Sequence, residues 1–351
     1  MSVATVSRVL NNHPSVSKTI RARVLSAANK SNYRMNSSRR TASTIGYIYT
    51  GTVMLGSPFD AALLAGVGGA LDETHYSLSI FDVNRLRQPG EAFSHLFMRH
   101  SMHGAILRAS SGSTSACENI AAEDFPAIMV GTRSDNPDVS YIYCDSQSAS
   151  RDAVEHLIGL GHRRIAIEMN VFDDQDHLDR LNGYKQALDN HGIPFEERFV
   201  IRLPARRASG DQVLKRILEM PDSPTAIFIT DPLVAIGAVN SAPMHSIRIP
   251  EDLSIVGFDD AEMRHNVFPK MTVVCQDAAA LGRAAFQALV DLIKSGNRQP
   301  QREILRTWLE IHETTGPPPA NGPGTASAHR AEDSRLGDGN GSSHGGSGSI
   351  D

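Results

Sequence analysis

Between residues 45 and 315 short apolar runs alternate with longer helical patterns, and no other feature of the chain restricts its fold as tightly. The runs are IGYIYT (45–50), YSLSIFDV (76–83), GAIL (104–107), AIMVGT (127–132), IAIEM (165–169), TAIFIT (225–230), LSIVGF (253–258) and MTVVCQ (271–276). Helical stretches such as Ser148 to Leu160, Leu178 to Asn190 and Ala278 to Lys294 lie between them. Strands joined through helices pair in parallel, because a parallel neighbour needs a long crossover to bring the chain back to the same end. The segment therefore reads as α/β with parallel sheets. It is too long for one ordinary core and suits two subdomains of similar size with a ligand cleft between them.

The ends of the chain have a different character. Residues 1–40 hold Arg8, Lys18, Arg21, Arg23, Lys30, Arg34, Arg39 and Arg40 and no Asp or Glu, so a net charge of -5 for the whole leaves -13 on the remainder. A cationic head interspersed with Asn, Ser and Thr suits a surface that meets a polyanion. Beyond Gly316 the chain is Pro, Gly, Ser, Ala and His with almost no large apolar residue, and 316–351 is expected to be a disordered tail. An apolar content of 40% and a charged content of 21% exclude a collagen-like, wholly disordered or coiled-coil chain. No apolar run approaches the ~20 residues of a membrane span, and MSVATVSRVLNNH is not a secretory signal, so a soluble, cytoplasmic protein is expected. Cys117, Cys144 and Cys275 lack CxxC spacing and read as buried reduced thiols.

Two short helices emerge from the cationic head. Ser2 precedes the stripe Val3, Val6, Val9 and Leu10 and can cap a helix that stops at Asn11, Asn12 and Pro14. Ser17 caps a second helix with Ile20, Val24, Leu25 and Ala28 on one side and Tyr33 closing it. Ala4, Thr5 and Arg8 lie on the first helix away from Val6 and Val9, short groups plus one long cation that fit a major groove.

The stretch VATVSRVLNNHPSVSKTIRARVLSAANKSNY resembles the recognition helix and third helix of the lactose-repressor (LacI/GalR) family of bacterial transcription regulators. The likeness continues through Ser57-Pro58-Phe59, Glu155-His156-Leu157, Gly161-His162-Arg163-Arg164-Ile165, Arg180-Leu181-Asn182-Gly183-Tyr184, Pro250-Glu251-Asp252, Gly257-Phe258-Asp259-Asp260, Gln276-Asp277 and Leu281-Gly282. It implies a periplasmic-binding-protein-like core of two subdomains over 45–315, preceded by a helix-turn-helix module over 1–36 and a linker over 37–44. In that family a dimer reads a pseudo-palindromic operator. The resemblance places Val3, Ala4 and Arg8 on base edges and Thr5, Ser7 and Asn11 on phosphates.

Two departures concern this module. The family's helix-turn-helix opens with a further helix about a dozen residues before the recognition helix, whereas this chain starts at Met1, so a partial module with weak, salt-sensitive DNA binding is expected. The linker offers no leucine for a minor-groove wedge.

For the cleft the resemblance points to Arg180 and Asp259, with Phe59, Asp231 and Gln276 as further effector-binding candidates. Each has a plainer reading: Arg180 as a helix-surface cation, Asp259 as a cap of the following turn, Phe59 as a core plug. Gly131 stands where family members often have an acidic residue, Thr230 where they often have Asn, and Arg206 and Arg207 near Ala205 where sugar binders often have an aromatic platform. These changes leave room for a sugar acid or sugar phosphate beside a plain sugar.

Enzyme and metal chemistry find no support in the sequence. Gly66-Val67-Gly68-Gly69 lacks the third glycine of a dinucleotide fingerprint, with Leu71 in its place, and reads as close packing. His95, His100 and His103 miss helical zinc spacing, and Asp173, Asp174 and Asp176 lack the glycine and glutamate of a calcium loop. No cofactor, metal or catalytic residue is assigned. The expectation is a ligand-responsive regulator, a repressor by family habit, acting as a homodimer with operator DNA and a small polar effector and no membrane. The alternative is a cytosolic sugar sensor without specific DNA binding.

Overall fold

The computed structural model describes residues 2–10, 16–31, 43–51, 53–109, 114–172, 175–260, 262–296 and 299–319. Helix α1 (Val3–Leu10) starts at Ser2, whose Oγ accepts from the Thr5 amide at 3.2 Å, and α2 (Lys18–Ser31) starts at Ser17, whose Oγ accepts from the Ile20 amide at 3.4 Å. Both caps are where the sequence placed them. The two helices pack together, with Val9 and Val24 buried. Asn11, Tyr33, linker residues 37–42, Asp173, Asp174 and residues 320–351 lie outside the described residues.

The first lobe contains β1 (Ser43–Tyr49), α3 (Pro58–Leu71), β2 (Tyr76–Asp82), α4 (Val83–Leu86), α5 (Phe93–Arg99), β3 (Met102–Arg108), α6 (Thr114–Ala122), β4 (Ala127–Val130) and β5 (Tyr141–Cys144). The chain then crosses into the second lobe, with α7 (Ser146–Gly159), β6 (Ile165–Asn170), α8 (Gln175–Asn190), β7 (Val200–Leu203), α9 (Ala208–Glu219), β8 (Ala226–Ile229), α10 (Pro232–Ser241), β9 (Ser254–Asp259) and β10 (Thr272–Cys275). It returns to the first with α11 (Ala278–Ser295) and β11 (Arg302–Leu305), and crosses again to β12 (Trp308–Glu310). The sheet orders are β11-β5-β4-β3-β1-β2, wholly parallel, and β12-β10-β9-β8-β6-β7, parallel except for β12.

Short strands account for most of what the apolar runs did not announce. β5, β7, β11 and β12 have three or four residues each, too few for a period to show. Ser43 and Thr44, assigned to the linker by sequence, are the first residues of β1. At the other end, Gly316, assigned to the tail, is tied into the core: its carbonyl accepts from His162 Nε2 at 2.9 Å and its amide donates to Ser254 Oγ at 3.1 Å. All three cysteines are buried free thiols.

Helix α11 follows the second lobe in sequence but packs on the first. Leu281, Ala285, Phe286 and Leu289 join Ile45, Tyr47, Leu63 and Ile106 in one core. The α3–α11 contact is backbone on backbone: a Cβ on Gly66 would stand 1.9 Å from the Ala279 carbonyl oxygen, and one on Gly282 would stand 2.1 Å from that of Leu63. Gly68 and Gly69, by contrast, face open space. Gly66→Ala should therefore lower the urea midpoint, at a cost of about 1–3 kcal/mol from overpacking, while Gly68→Ala leaves it unchanged or raises it.

His162 connects three segments of the second lobe. Its Nδ1 lies 2.8 Å from Thr225 Oγ1 and its Nε2 3.1 Å from Ser254 Oγ, besides the bond to Gly316. A carbonyl only accepts, so Nε2 carries the proton and Nδ1 accepts from Thr225. Burial holds the imidazolium form down, lowering the pKa of His162. The unfolded chain then binds the proton more readily, so this contribution to stability is complete above about pH 6.5 and is lost as the pH falls below it. Urea unfolding from pH 7.5 to 5.5 should show declining stability, with a shallower decline in His162→Gln.

Candidate effector cleft and its lobe contacts

The polar groups of the cleft sit where strands end. Three chain crossings join the lobes, after β5, after β10 and between β11 and β12. Thr307 Oγ1 donates to the Asp145 carbonyl at 2.6 Å and the Asp145 amide to that of Leu305 at 3.2 Å, so two crossings are bonded to each other. Strand ends of parallel sheets facing one another across such a hinge are the usual place for a ligand in α/β folds.

In the first lobe, Ser57 caps α3 and Phe59 and Asp60 follow in its first turn. Asp60 is fully buried and accepts from Arg108 Nε at 2.9 Å, Tyr47 Oη at 3.0 Å and Ser57 Oγ at 3.0 Å. Phe59 belongs to the core and also carries the Arg108 guanidinium 4.7 Å from its ring centre. Gly131 has φ +67, and a Cβ there would stand 3.0 Å from Phe59 Cζ. The missing acidic residue thus has a packing reason: the backbone is left-handed and Phe59 occupies the space.

In the second lobe, Arg180 is 5% exposed. Its guanidinium lies 3.6 Å from the Phe258 ring centre, Nη1 donates to the Thr230 carbonyl at 2.7 Å, and Nη2 lies 3.9 Å from Asp176 Oδ2. Its Nε has no partner among the described residues, nor do Thr230 Oγ1 or Gln276 Oε1. The plain helix-surface reading of Arg180 does not hold. Asp231 caps α10, accepting from the amides of Leu233 at 2.9 Å and Val234 at 3.3 Å.

Asp259 needs a correction in emphasis. Its carboxylate accepts from Arg264 Nη1 at 2.8 Å and from the amides of Met263 and Arg264 at 2.9 and 3.2 Å, and Arg264 in turn holds Glu310 at 2.8 Å. Asp259 thus caps the following turn and anchors a buried ion pair. The carboxylate that takes the amide of Gln276 is Asp260. Strand alternation explains the exchange: Val256 and Phe258 face the α7 and α8 side, and Asp260 continues their face towards Arg180, while Asp259 shares the opposite face with Ile255. Burial raises the pKa of Asp260 to about 6, against the charge of Arg180. Arg206 and Arg207 are both exposed, beside the edge strand β7.

Residues that the sequence did not single out join the lobes. Asp179 on α8 is fully buried, and it accepts from Tyr143 Oη of β5, from Arg133 Nη2 at 3.0 Å and from Gln175 Nε2 at 2.9 Å. Tyr143 and Arg133 belong to the first lobe, so one carboxylate ties the lobes beside Arg180. Only its distance in sequence from its partners hid it. A double-mutant cycle with Arg133→Met and Asp179→Asn should give a coupling of about 0.5–1 kcal/mol, kept modest by the partial exposure of Arg133. A coupling near zero by urea unfolding would show that the pair does not form in solution.

Comparison with known proteins agrees with this architecture. The model of bacterial regulatory proteins of the lacI family matches residues 1–36, and that of the periplasmic binding protein-like domain matches 154–315. The HTH-type transcriptional repressor CytR of Escherichia coli strain K12 is 28% identical over 315 residues, 87% of this chain and 92% of CytR. The ribose operon repressor of Haemophilus influenzae is 28% identical over 323 residues, 90% of this chain and 95% of that protein. A complex of the transcriptional regulator CelR with cellobiose superimposes with a TM-score of 0.68 at 27% identity, covering 90% of this chain and 96% of that one. With its DNA-binding helices at the front and its two-lobed, periplasmic-binding-protein-like core behind, the chain belongs to the lacI family of bacterial regulatory proteins.

Proposed function

We propose that this protein is a cytoplasmic repressor that binds operator DNA as a homodimer and changes its operator affinity when a small polyhydroxy effector of the sugar class enters the cleft. The observation that carries the reading is the set of buried polar atoms without partners, Arg180 Nε, Thr230 Oγ1 and Gln276 Oε1, at the strand ends of a hinged lobe. Buried polar atoms are almost always satisfied, so a group of open ones at a cleft calls for a ligand that supplies the missing hydrogen bonds. CelR was solved with cellobiose and another relative is a ribose operon repressor, which supports the sugar class. Among the described residues no helix is long and apolar enough to cross a membrane.

On the DNA side, Val3, Ala4, Ser7 and Arg8 are exposed on α1, and Thr5 is partly so. These residues form the proposed reading surface, with Arg8 as the one side chain able to make paired hydrogen bonds to a base edge. Effector and operator are coupled through the hinge, and any effect of one on the other is reciprocal. Effector-site candidates are Arg180, Gln276, Asp231 and Phe59, with Asp260 added and Asp259 acting through Arg264.

Fluorescence anisotropy with duplexes from upstream of the gene and its neighbours tests the DNA reading. One duplex should bind specifically at physiological salt, and Arg8→Ala should cost about 1–3 kcal/mol on it. Arg180→Gln should leave ligand-free operator binding unchanged while weakening the best sugar about tenfold or more. Sugar binding without specific binding to any duplex would favour a sensor that does not read DNA.

A further inference from the structure

The open atoms of Arg180, Thr230 and Gln276 all lie on the second-lobe side, and a ligand held between two lobes needs a partner from the other. The strand ends of the first lobe supply one. Tyr49 is the last residue of β1, and in the parallel register it pairs with Asp82 of β2 and Arg108 of β3. Alternate residues of a strand share a face, so Ile45, Tyr47 and Tyr49 point together to the side covered by α3 and α11, where they join one core with Phe59 and Ala278. Arg108 is the cross-strand neighbour of Tyr49. Its guanidinium reaches Asp60 and Phe59 while its side chain stays 11% exposed, so solvent comes up to this row of strand ends.

The fold treats the two tyrosines of β1 differently. Tyr47 Oη donates to Asp60 at 3.0 Å, in a set completed by Arg108 and Ser57. Tyr49 is 1% exposed and stands edge-on to Tyr47 with ring centres 5.3 Å apart, yet its hydroxyl has no hydrogen-bond partner among the described residues. A phenylalanine would fill the same space without the cost of a buried, open hydroxyl. Burial above all, and then the charge of Asp60, push the phenol up to about 12, so it keeps its proton and can donate as well as accept. Cys144, at the end of β5, belongs to the same core. Its thiol is raised mainly by burial and also feels Asp176, Asp260 and Arg180 of the second lobe, so this core adjoins the Arg180 side of the cleft.

Resting on the sugar-class reading above, we propose that Tyr49 is the first-lobe contact of the effector, its hydroxyl bonding one hydroxyl of the sugar and selecting for sugars that carry it. Arg180 Nε donates, Gln276 Oε1 accepts, and the hydroxyls of Thr230 and Tyr49 do either. Sugar hydroxyls, which donate and accept, suit all of them. A site that pairs with a hydroxyl rejects the analogue lacking it, because the analogue leaves the buried protein group open.

Calorimetry on the full chain tests this with cellobiose, ribose, glucose and galactose, followed by the monodeoxy forms of whichever binds most tightly. Tyr49→Phe should weaken that sugar about tenfold. One monodeoxy form, about tenfold weaker on the wild type, should bind both proteins alike, because the missing sugar hydroxyl and the missing phenol remove the same bond. Without sugar, Tyr49→Phe should melt no lower than the wild type, whereas Tyr47→Phe should melt lower through loss of its bond to Asp60. Equal affinity of Tyr49→Phe and wild type for the tightest sugar overturns the proposal and leaves the sugar reading standing. A melting midpoint of Tyr49→Phe that falls as far as that of Tyr47→Phe also overturns it, since the hydroxyl would then be structural. If no member of the panel binds the wild type, the sugar reading falls and the proposal with it.

Discussion

Everything in the cleft depends on the chain crossing between lobes three times and on those crossings being held together. A single connection would leave two lobes free to turn in any direction. Three restrict them to opening and closing about one axis, and the bonds from Thr307 and Leu305 to Asp145 make the crossings act as a unit. The same path explains why α11 returns to cover the first sheet: without it, Ile45, Tyr47, Ile106 and Ile128 would lose the helix that buries them. The backbone contact through Gly66 and Gly282 fixes how closely that helix sits.

Buried carboxylates follow one rule through much of the described structure. Asp60 with Arg108, Asp179 with Arg133, Asp252 with Arg248 and Asp259 with Arg264 are carboxylates matched by arginines, as the cost of desolvation demands. Around Arg180 carboxyl groups gather more closely, with Asp176 at 3.9 Å, Asp260 on the same face bonded to Gln276, and Asp231 capping the neighbouring helix. The open atoms of Arg180, Thr230 and Gln276 stand beside them, and such open polar groups belong to places where something is to be bound, because a fold optimised only for stability would have apolar groups there. Asp179 and Arg180 are neighbours on α8, so the carboxylate that ties the lobes and the cation at the centre of the cleft move together.

Several site residues could be read in the sequence through resemblance, and the reasons for the misses are specific. Arg180 and Gln276 were found, and both have an open polar atom at the cleft. Asp259 and Asp260 are adjacent and of one type, so only the direction of the strand face tells which meets Arg180 and which meets Arg264. Asp179 lies 46 residues from Arg133 and 36 from Tyr143, and no local pattern relates it to them.

The sequence by itself determined the two-lobed α/β core, the cationic pair of helices with their Ser2 and Ser17 caps, and the buried state of the cysteines. Those properties follow from local periodicity, capping and composition, which are written in neighbouring residues. Only the tertiary structure decided the edge strands, the return of α11, the tie of Gly316 to His162 and the partner of each buried charge. A carboxylate and the arginine that neutralises it are chosen by distance in space, and the chain brings them together only after its strands have found their order.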